Sequence, residues 1–347
     1  MGNNKHLLVI RLSAMGDVAM TVPVIKSLLD SYPNLRITVL TKEFLAPIFN
    51  GLDNVSVHIA DVEARHKGVK GLWKLYNELQ SLKIDAVADL HHVLRSNILK
   101  QFFRLARIPF VQVDKGRKEK KALTAKKNKI FIALKTTQQR YVDVFTQLGL
   151  PFTLPVANFL SKRKLSNDVL ALTGDNSIKW LGIAPFAAFT GKMYPLQLMG
   201  QIIQELNNTN KYKIFLFGGG DKEVNQLEAW ARAHKDCVNI AGRLSFEDQL
   251  TLISNLDLML SMDSGNAHLA AMYGIPTITL WGVTHPHAGF YPYGQDPNNA
   301  LLSDRSVYPL LPTSIYGNKF PKGYENVMET IDPNAVLDKV NLLLNKK

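Results

Sequence analysis

The sequence predicts an α/β chain of two successive halves, each a parallel sheet covered by helices on both faces. Three observations predict it. Short apolar runs alternate with amphipathic stretches from Leu7 to Val113, and again from Trp180 to Trp281. Those runs read as strands buried on both faces, which requires crossover helices between them. Between the two series the pattern weakens over Thr136–Asp175, where Gly149-Leu150-Pro151, Pro155 and the polar stretch SKRKLSND suggest an interdomain connection.

The elements follow in order. Leu7–Leu12 is the first strand, and Asp17 stands where it can cap a helix running to about Asp30. Arg36–Leu40 is a strand, followed by a helical stretch near Phe44 and a third strand at Val55–Ile59. Gly71–Leu82 has helical spacing through Leu72, Leu75, Tyr76 and Leu79. Ile84–Leu90, Ser96–Leu105 and Pro109–Val113 complete the first series. In the second, strands at Trp180–Pro185, Lys213–Phe217, Val238–Ala241, Leu256–Leu260 and Pro276–Trp281 alternate with helices at Pro195–Asn207, Asp221–His234, Ser245–Ser254 and Ala267–Tyr273. Ser245 reads as a helix cap, and the last helix is Asn334–Leu344.

A chain of 347 residues with 46% apolar content can bury two cores. No apolar run reaches the roughly 20 residues of a membrane span, and the start lacks the apolar core of a signal peptide. A single Cys237 excludes an internal disulfide and a cysteine zinc site. A cytoplasmic protein is expected. Its charge is uneven. Residues 1–172 hold 27 Lys/Arg against 13 Asp/Glu, whereas residues 173–347 hold 14 against 16. Much of the excess lies in KGRKEKKALTAKKNK, Lys115–Lys129. It is either a solvated face or the footprint of an anionic partner such as an acidic glycolipid or an anionic membrane leaflet. Nucleic acid is disfavoured, because no aromatic residue interleaves the charges between Val111 and Ile130.

Chemistry concentrates at the strand ends, where parallel sheets bind ligands. Leu260–Gly294 reads as strand end, polar turn, helix start, strand and polar loop. In it, Asp263 can accept from sugar hydroxyls, Ser264 and Gly265 can offer N–H groups to phosphate, and His268 can add a donor. Thr190-Gly191-Lys192 follows another strand, and Lys192 can neutralise a diphosphate. Gly218-Gly219-Gly220 allows close backbone approach after a third. In Arg11–Asp17 the turn holds one glycine, Gly16, so a dinucleotide fingerprint is absent. Asp17 is either a helix cap or a general base for an attacking hydroxyl. His91-His92 lacks a third metal ligand nearby, so no metal is expected, and Ser13 shows no hydrolase triad.

These pieces occur in the order of one family. RLSAMGDVAMTVPVIKSL, DLHHVLRSN (Asp89–Asn97) and AGRLSFEDQLTLISNLDLMLSMDSGNAHLAAMYGIPTITLWGVTHP resemble bacterial lipopolysaccharide heptosyltransferases, glycosyltransferase family 9. The resemblance implies a GT-B fold, two facing Rossmann-like domains with the active site between them. It divides the chain into an acceptor-binding domain (1–172), a nucleotide-sugar-binding domain (173–330) and a terminal helix (331–347) returning toward the first. It implies an inverting, metal-independent enzyme that moves heptose from ADP-heptose, a co-substrate and not a cofactor, onto an inner-core or related acidic glycolipid. Asp17 matches the family base. Thr190, Lys192, Asp263, Ser264, Gly265 and His268 match the donor site. Ser13, Gly16, Arg95, Lys118, Lys120 and Lys121 fall to the acceptor side, with peripheral contact to an anionic leaflet. Arg243 aligns with the A-G-[KR] position. The chain departs from the family at Phe189-Thr190-Gly191, at Gly218–Gly220, where other members carry an acidic residue for the ribose, and at His285, commonly Asp. The alternative is a non-catalytic nucleotide-sugar or acidic-glycan binding protein of the same fold.

Overall fold

The structure is a computed structural model describing residues 5–174 and 178–345. Positions 1–4, Asp175 and 346–347 of the expectations above lie outside the described residues. The elements in chain order are β1 (His6–Ile10), α1 (Met15–Ala19), α2 (Thr21–Ser31), β2 (Arg36–Thr41), β3 (Val55–Ile59), α3 (Gly68–Gln80), β4 (Ala86–Asp89), α4 (Leu94–Leu105), β5 (Phe110–Gln112), α5 (Arg117–Leu123), α6 (Thr137–Gln147) and α7 (Asn167–Thr173). Then come β6 (Lys179–Ala184), α8 (Leu196–Asn208), β7 (Tyr212–Leu216), α9 (Asp221–Ala233), β8 (Cys237–Asn239), α10 (Phe246–Ile253), β9 (Leu258–Met262), α11 (Gly265–Ala271), β10 (Thr277–Trp281), β11 (Ala300–Leu302) and α12 (Pro333–Leu344).

The strands form two sheets, and every pairing between them is parallel. The first has the order β3-β2-β1-β4-β5 and the second β11-β10-β9-β6-β7-β8. In the first, β1 is central, with Val9 opposite Val39 on one side and Ala88 on the other. In the second, β6 and β9 are adjacent, with Ile183 opposite Leu260. Strands β1 and β9 are buried throughout, as continuous apolar runs require. Leu8 and Ile10 of β1 pack with Leu75 and Leu79 of α3 and with Leu99 and Phe103 of α4. In the second sheet Ile183, Leu260 and Leu280 share a core with Ile202 of α8 and Val336 of α12.

The chain divides into two compact units. The first runs to Lys115 and resumes over Thr136–Leu160; the second holds Gly116–Lys135 and everything from Ser161 onward. This differs from the division at 172/173, and the reasons are local. The stretch expected to be a connection begins with a helix, α6, whose Tyr141, Val144 and Phe145 are buried at spacings of three and four. Thr136 caps it by accepting from the Gln139 N–H at 3.1 Å. Beyond α6, Tyr32 Oη donates to Pro151 O at 2.8 Å and Asn158 Nδ2 to Asp30 Oδ2 at 2.6 Å, both within the first unit. Helix α7 packs on α10 of the second unit. The terminal helix α12 packs on α8 and β9 of its own unit through Val336, Val340 and Leu344.

Candidate functional site

In the first unit the carboxyl ends of β1 and β4 bring five polar side chains together. Strand β1 runs directly into Arg11, which is 7% exposed. Its Nη1 donates to Leu90 O at 2.6 Å, and its Nη2 pairs with Asp17 Oδ2 at 2.5 Å. Asp17 is therefore inside the first turn of α1 and not before it. Its contact with the Ala14 N–H is long, 3.4 Å, so the ion pair dominates its surroundings. The Asp17 side chain keeps 27% of its surface exposed. Tyr141 Oη lies 3.5 Å from the Asp17 carbonyl, and complete burial pushes its phenol well above the ordinary range.

Asp89 closes this turn from β4. Fully buried, it accepts the N–H groups of His91 and His92 on Oδ1, each at 2.9 Å, and Gln112 Nε2 on Oδ2 at 2.9 Å. His91 Nε2 lies 3.4 Å from Ser13 Oγ, a pairing the sequence did not reveal. It is not a hydrolase relay, because Asp89 bonds the His91 backbone and the His91 Nδ1 has no hydrogen-bond partner among the described residues. Burial, then the Arg11 charge, lowers the His91 pKa to about 4, so the ring is neutral. His92 turns away and meets Val113 O through Nδ1 at 2.9 Å. Arg95 opens α4 in the same unit and lies 3.7 Å from Glu63.

In the second unit the carboxyl ends of β6, β9 and β10 assemble a second cluster. Lys192 Nζ is 3.2 Å from Asp263 Oδ2, and that oxygen also accepts from Thr284 Oγ1 at 2.8 Å. Asp263 is 7% exposed and Thr284 2%. The Lys192 side chain is 15% exposed, so its ammonium is held and partly dehydrated. Close backbone packing puts it there. Gly191 O accepts the Val283 N–H at 2.9 Å, and a Cβ on Gly191 or Gly282 would meet backbone or side-chain atoms under 3 Å away. Gly317, at φ +84°, lets the Lys192 stem cross it, where a Cβ would stand 2.3 Å from Lys192 Cγ. Ser264 begins α11, its Oγ 3.0 Å from Ser261 Oγ, and Gly265 is the first helical residue. His268 is buried on α11, while Thr190 is exposed in the short 3-10 turn that carries Lys192.

The two turns where the sequence departs from the family pattern, at Gly218–Gly220 and His285, have their own local partners. Asp221 is exposed at the start of α9, while Glu223, two residues on, accepts the Gly219 N–H at 2.8 Å. His285 caps a 3-10 turn, its Nδ1 accepting from the His287 N–H at 3.1 Å. Arg243 Nη2 lies 3.4 Å from Glu228 Oε2.

Lys118, Lys120 and Lys121, expected on the first domain, sit on α5 of the second unit. The strap Gly116–Lys135 is fastened there at four points. Lys120 Nζ stands 4.2 Å from the Phe290 ring centre. Lys129 Nζ donates to Leu123 O at 2.8 Å and Pro312 O at 2.7 Å. Phe131 packs against His285 and His287, with the Arg305 guanidinium 3.6 Å from its ring centre. The Leu134 N–H donates to His287 O at 2.9 Å. The strap carries eight Lys/Arg and one Glu, half of the +14 excess of residues 1–172. Among the described residues no cluster of three or more His, Cys, Asp or Glu is arranged to hold a metal.

The model of glycosyltransferase family 9 (heptosyltransferase) matches residues 72–311. The chain belongs to glycosyltransferase family 9. Among its relatives, the lipopolysaccharide core heptosyltransferase OpsX of Haemophilus influenzae is 26% identical over 286 residues, 81% of this chain and 80% of that one. Among solved structures, a family 9 glycosyltransferase from Veillonella parvula superposes with a TM-score of 0.75 at 18% identity, covering 99% of this chain and 98% of that one. The E. coli heptosyltransferase WaaC with ADP-2-deoxy-2-fluoro heptose superposes with a TM-score of 0.67 at 18% identity, covering 97% and 99%. The fold is of the GT-B type, with two parallel α/β sheets. As a family 9 member the chain is a glycosyltransferase. The family match spans the Lys192 and Asp263 cluster and begins beyond the Asp17 turn.

Proposed function

We propose that this family 9 enzyme transfers heptose from ADP-heptose to an anionic lipopolysaccharide inner-core acceptor, with inversion and without a metal. The observation that carries the reading is the Lys192–Asp263–Thr284 cluster at the strand ends of the second unit. An ammonium has three donors. Asp263 engages one at 3.2 Å, and the others remain for diphosphate oxygens. Ser264 and the adjoining backbone offer further donors. Support for the donor comes from WaaC, whose structure holds an ADP-heptose analogue.

In the reaction an acceptor hydroxyl gives its proton to Asp17, and its oxygen forms the new bond to the anomeric carbon. The bond from that carbon to the diphosphate breaks, and ADP leaves with the electron pair. Lys192 stabilises the charge that develops on the leaving oxygens. Arg11 holds Asp17 Oδ2, leaving Oδ1 for the incoming proton. Arg95 and the strap lysines are the proposed holders of acceptor phosphate or carboxylate, and the enzyme works on the cytoplasmic side of the membrane.

The test is transfer from ADP-heptose to a heptose-free inner-core acceptor, read by mass spectrometry. Asp17→Asn is expected to lose about 10²–10⁴ in kcat, the usual worth of a general base. Its donor affinity by calorimetry should be unchanged. Lys192→Ala is expected to lose about 10²–10³ in kcat and to weaken ADP binding as well. Undiminished turnover in the Asp17 variant would overturn the base assignment.

A further inference from the structure

We propose that α3 and α4 form a docking surface for an anionic lipid bilayer. The two helices pack side by side in the first unit. Their inner faces, Leu72, Leu75 and Leu79 on α3 and Leu99 and Phe103 on α4, complete the sheet core. The outer side is also apolar. Val69 is 60% exposed, Trp73 48% and Leu105 81%. Val69 and Trp73 are four apart on α3, and Phe102 and Leu105 three apart on α4, so each pair shares a helix face. The Trp73 and Phe102 rings meet edge-on at 5.0 Å, which joins the two pairs across the helices.

The exposed charges that the two helices and the turn after α4 themselves carry are all basic. Lys70 and Lys74 on α3, and Arg104 and Arg107 at the end of α4, are all exposed. The only acidic residue of either helix is Glu78, which is turned to Arg65 at 2.5 Å and His66 at 3.2 Å. A tryptophan and aliphatic residues framed by Lys and Arg match the interface of an anionic membrane, where indole sits at headgroup depth and basic chains meet lipid phosphate. No helix among the described residues is long and apolar enough to cross a membrane, so the contact is peripheral. The strap lysines are not needed for it. The use of this surface rests on the lipid-borne acceptor proposed above, but its physics does not.

The test uses the full chain and vesicles that contain no acceptor, so an enzyme of any sugar specificity reports on it. Co-sedimentation is measured with vesicles of phosphatidylglycerol and phosphatidylethanolamine, and with phosphatidylcholine alone. Binding to the anionic vesicles only is expected, weakening with salt. The triple change Lys70→Glu, Lys74→Glu and Arg104→Glu should lower partitioning roughly 100-fold. Leu105→Ser, at a side chain with little to lose in folding, should weaken it without moving the melting temperature. Equal binding to both vesicle types, binding to neither, or wild-type partitioning by the triple variant would overturn the proposal. So would a dimer of the free chain that Leu105→Ser dissolves, which would make a second copy the occupant.

Discussion

Arg11 decides how Asp17 is presented. Its guanidinium is buried and anchored to the Leu90 carbonyl, so the carboxylate it holds is fixed to the sheet edge. Arg11→Met is expected to leave Asp17 without its partner and the Leu90 carbonyl without its donor. The cost is about 2–3 kcal/mol by urea unfolding. It should also lower kcat at least tenfold with donor KM unchanged; an unaltered kcat would show that Asp17 needs no such anchor. Gly317 has the corresponding role for Lys192. Gly317→Ala places a methyl within the Lys192 stem at a left-handed φ, and is expected to weaken ADP binding about tenfold, a cost of roughly 1.4 kcal/mol. Isothermal titration measures it. Asp17, Lys192 and Asp263 stand out in the sequence because each lies in a short polar motif in the segment that follows a strand. Arg11, Thr284 and Gly317 were not singled out, because their work depends on partners 6, 21 and 125 residues away along the chain.

Elements buried on both faces were readable from their apolar runs, and β3 was placed residue for residue. Misplaced elements were those whose sequence is polar and whose burial comes from elsewhere. Helix α6 starts with Thr137, Gln138, Gln139 and Arg140, yet Gln138 and Arg140 are themselves buried. Helix α5 reads as a run of charge and is half solvated, with Leu123 as its buried anchor. The strap is held by single aromatic and cationic contacts worth about 1 kcal/mol each, a signal no periodicity carries. Phe131→Ala removes ring packing against His285 and His287 and the Arg305 stacking together. Tryptic cleavage within 117–129 is expected to quicken at least tenfold, because local opening costs less. Unchanged cleavage would mean that Lys129 and Lys120 suffice to hold the strap.

Across the whole molecule, two buried histidines couple stability to acid. Burial, then His287 and Arg305, lowers the His285 pKa to about 3, and burial with Arg11 lowers that of His91 to about 4. Unfolded histidine titrates near 6.5. The unfolded chain therefore binds more protons below that pH, and stability falls with decreasing pH. This contribution is complete above about 6.5 and is lost as the pH drops through the two folded values. His285 must stay neutral for its Nδ1 to accept from His287. His285→Asn is expected to lower the melting temperature at neutral pH and to make it fall less steeply between pH 6.5 and 4. An identical slope in thermal scans would place the acid sensitivity elsewhere. At this scale the sequence showed the two α/β halves and the basic excess of the first, but not that most of this excess rides on the second unit, +7 on the strap and +2 on residues 161–172.

The strap has a practical consequence for dissecting the protein. The chain passes between its units at 115/116, 135/136 and 160/161, so neither unit is one contiguous stretch of gene. A fragment starting at Ser161 would expose the Phe290 ring, the histidine pair and the Pro312 carbonyl that the strap covers. A hybrid enzyme that inherits its second unit from a relative must therefore inherit residues 116–135 from the same parent.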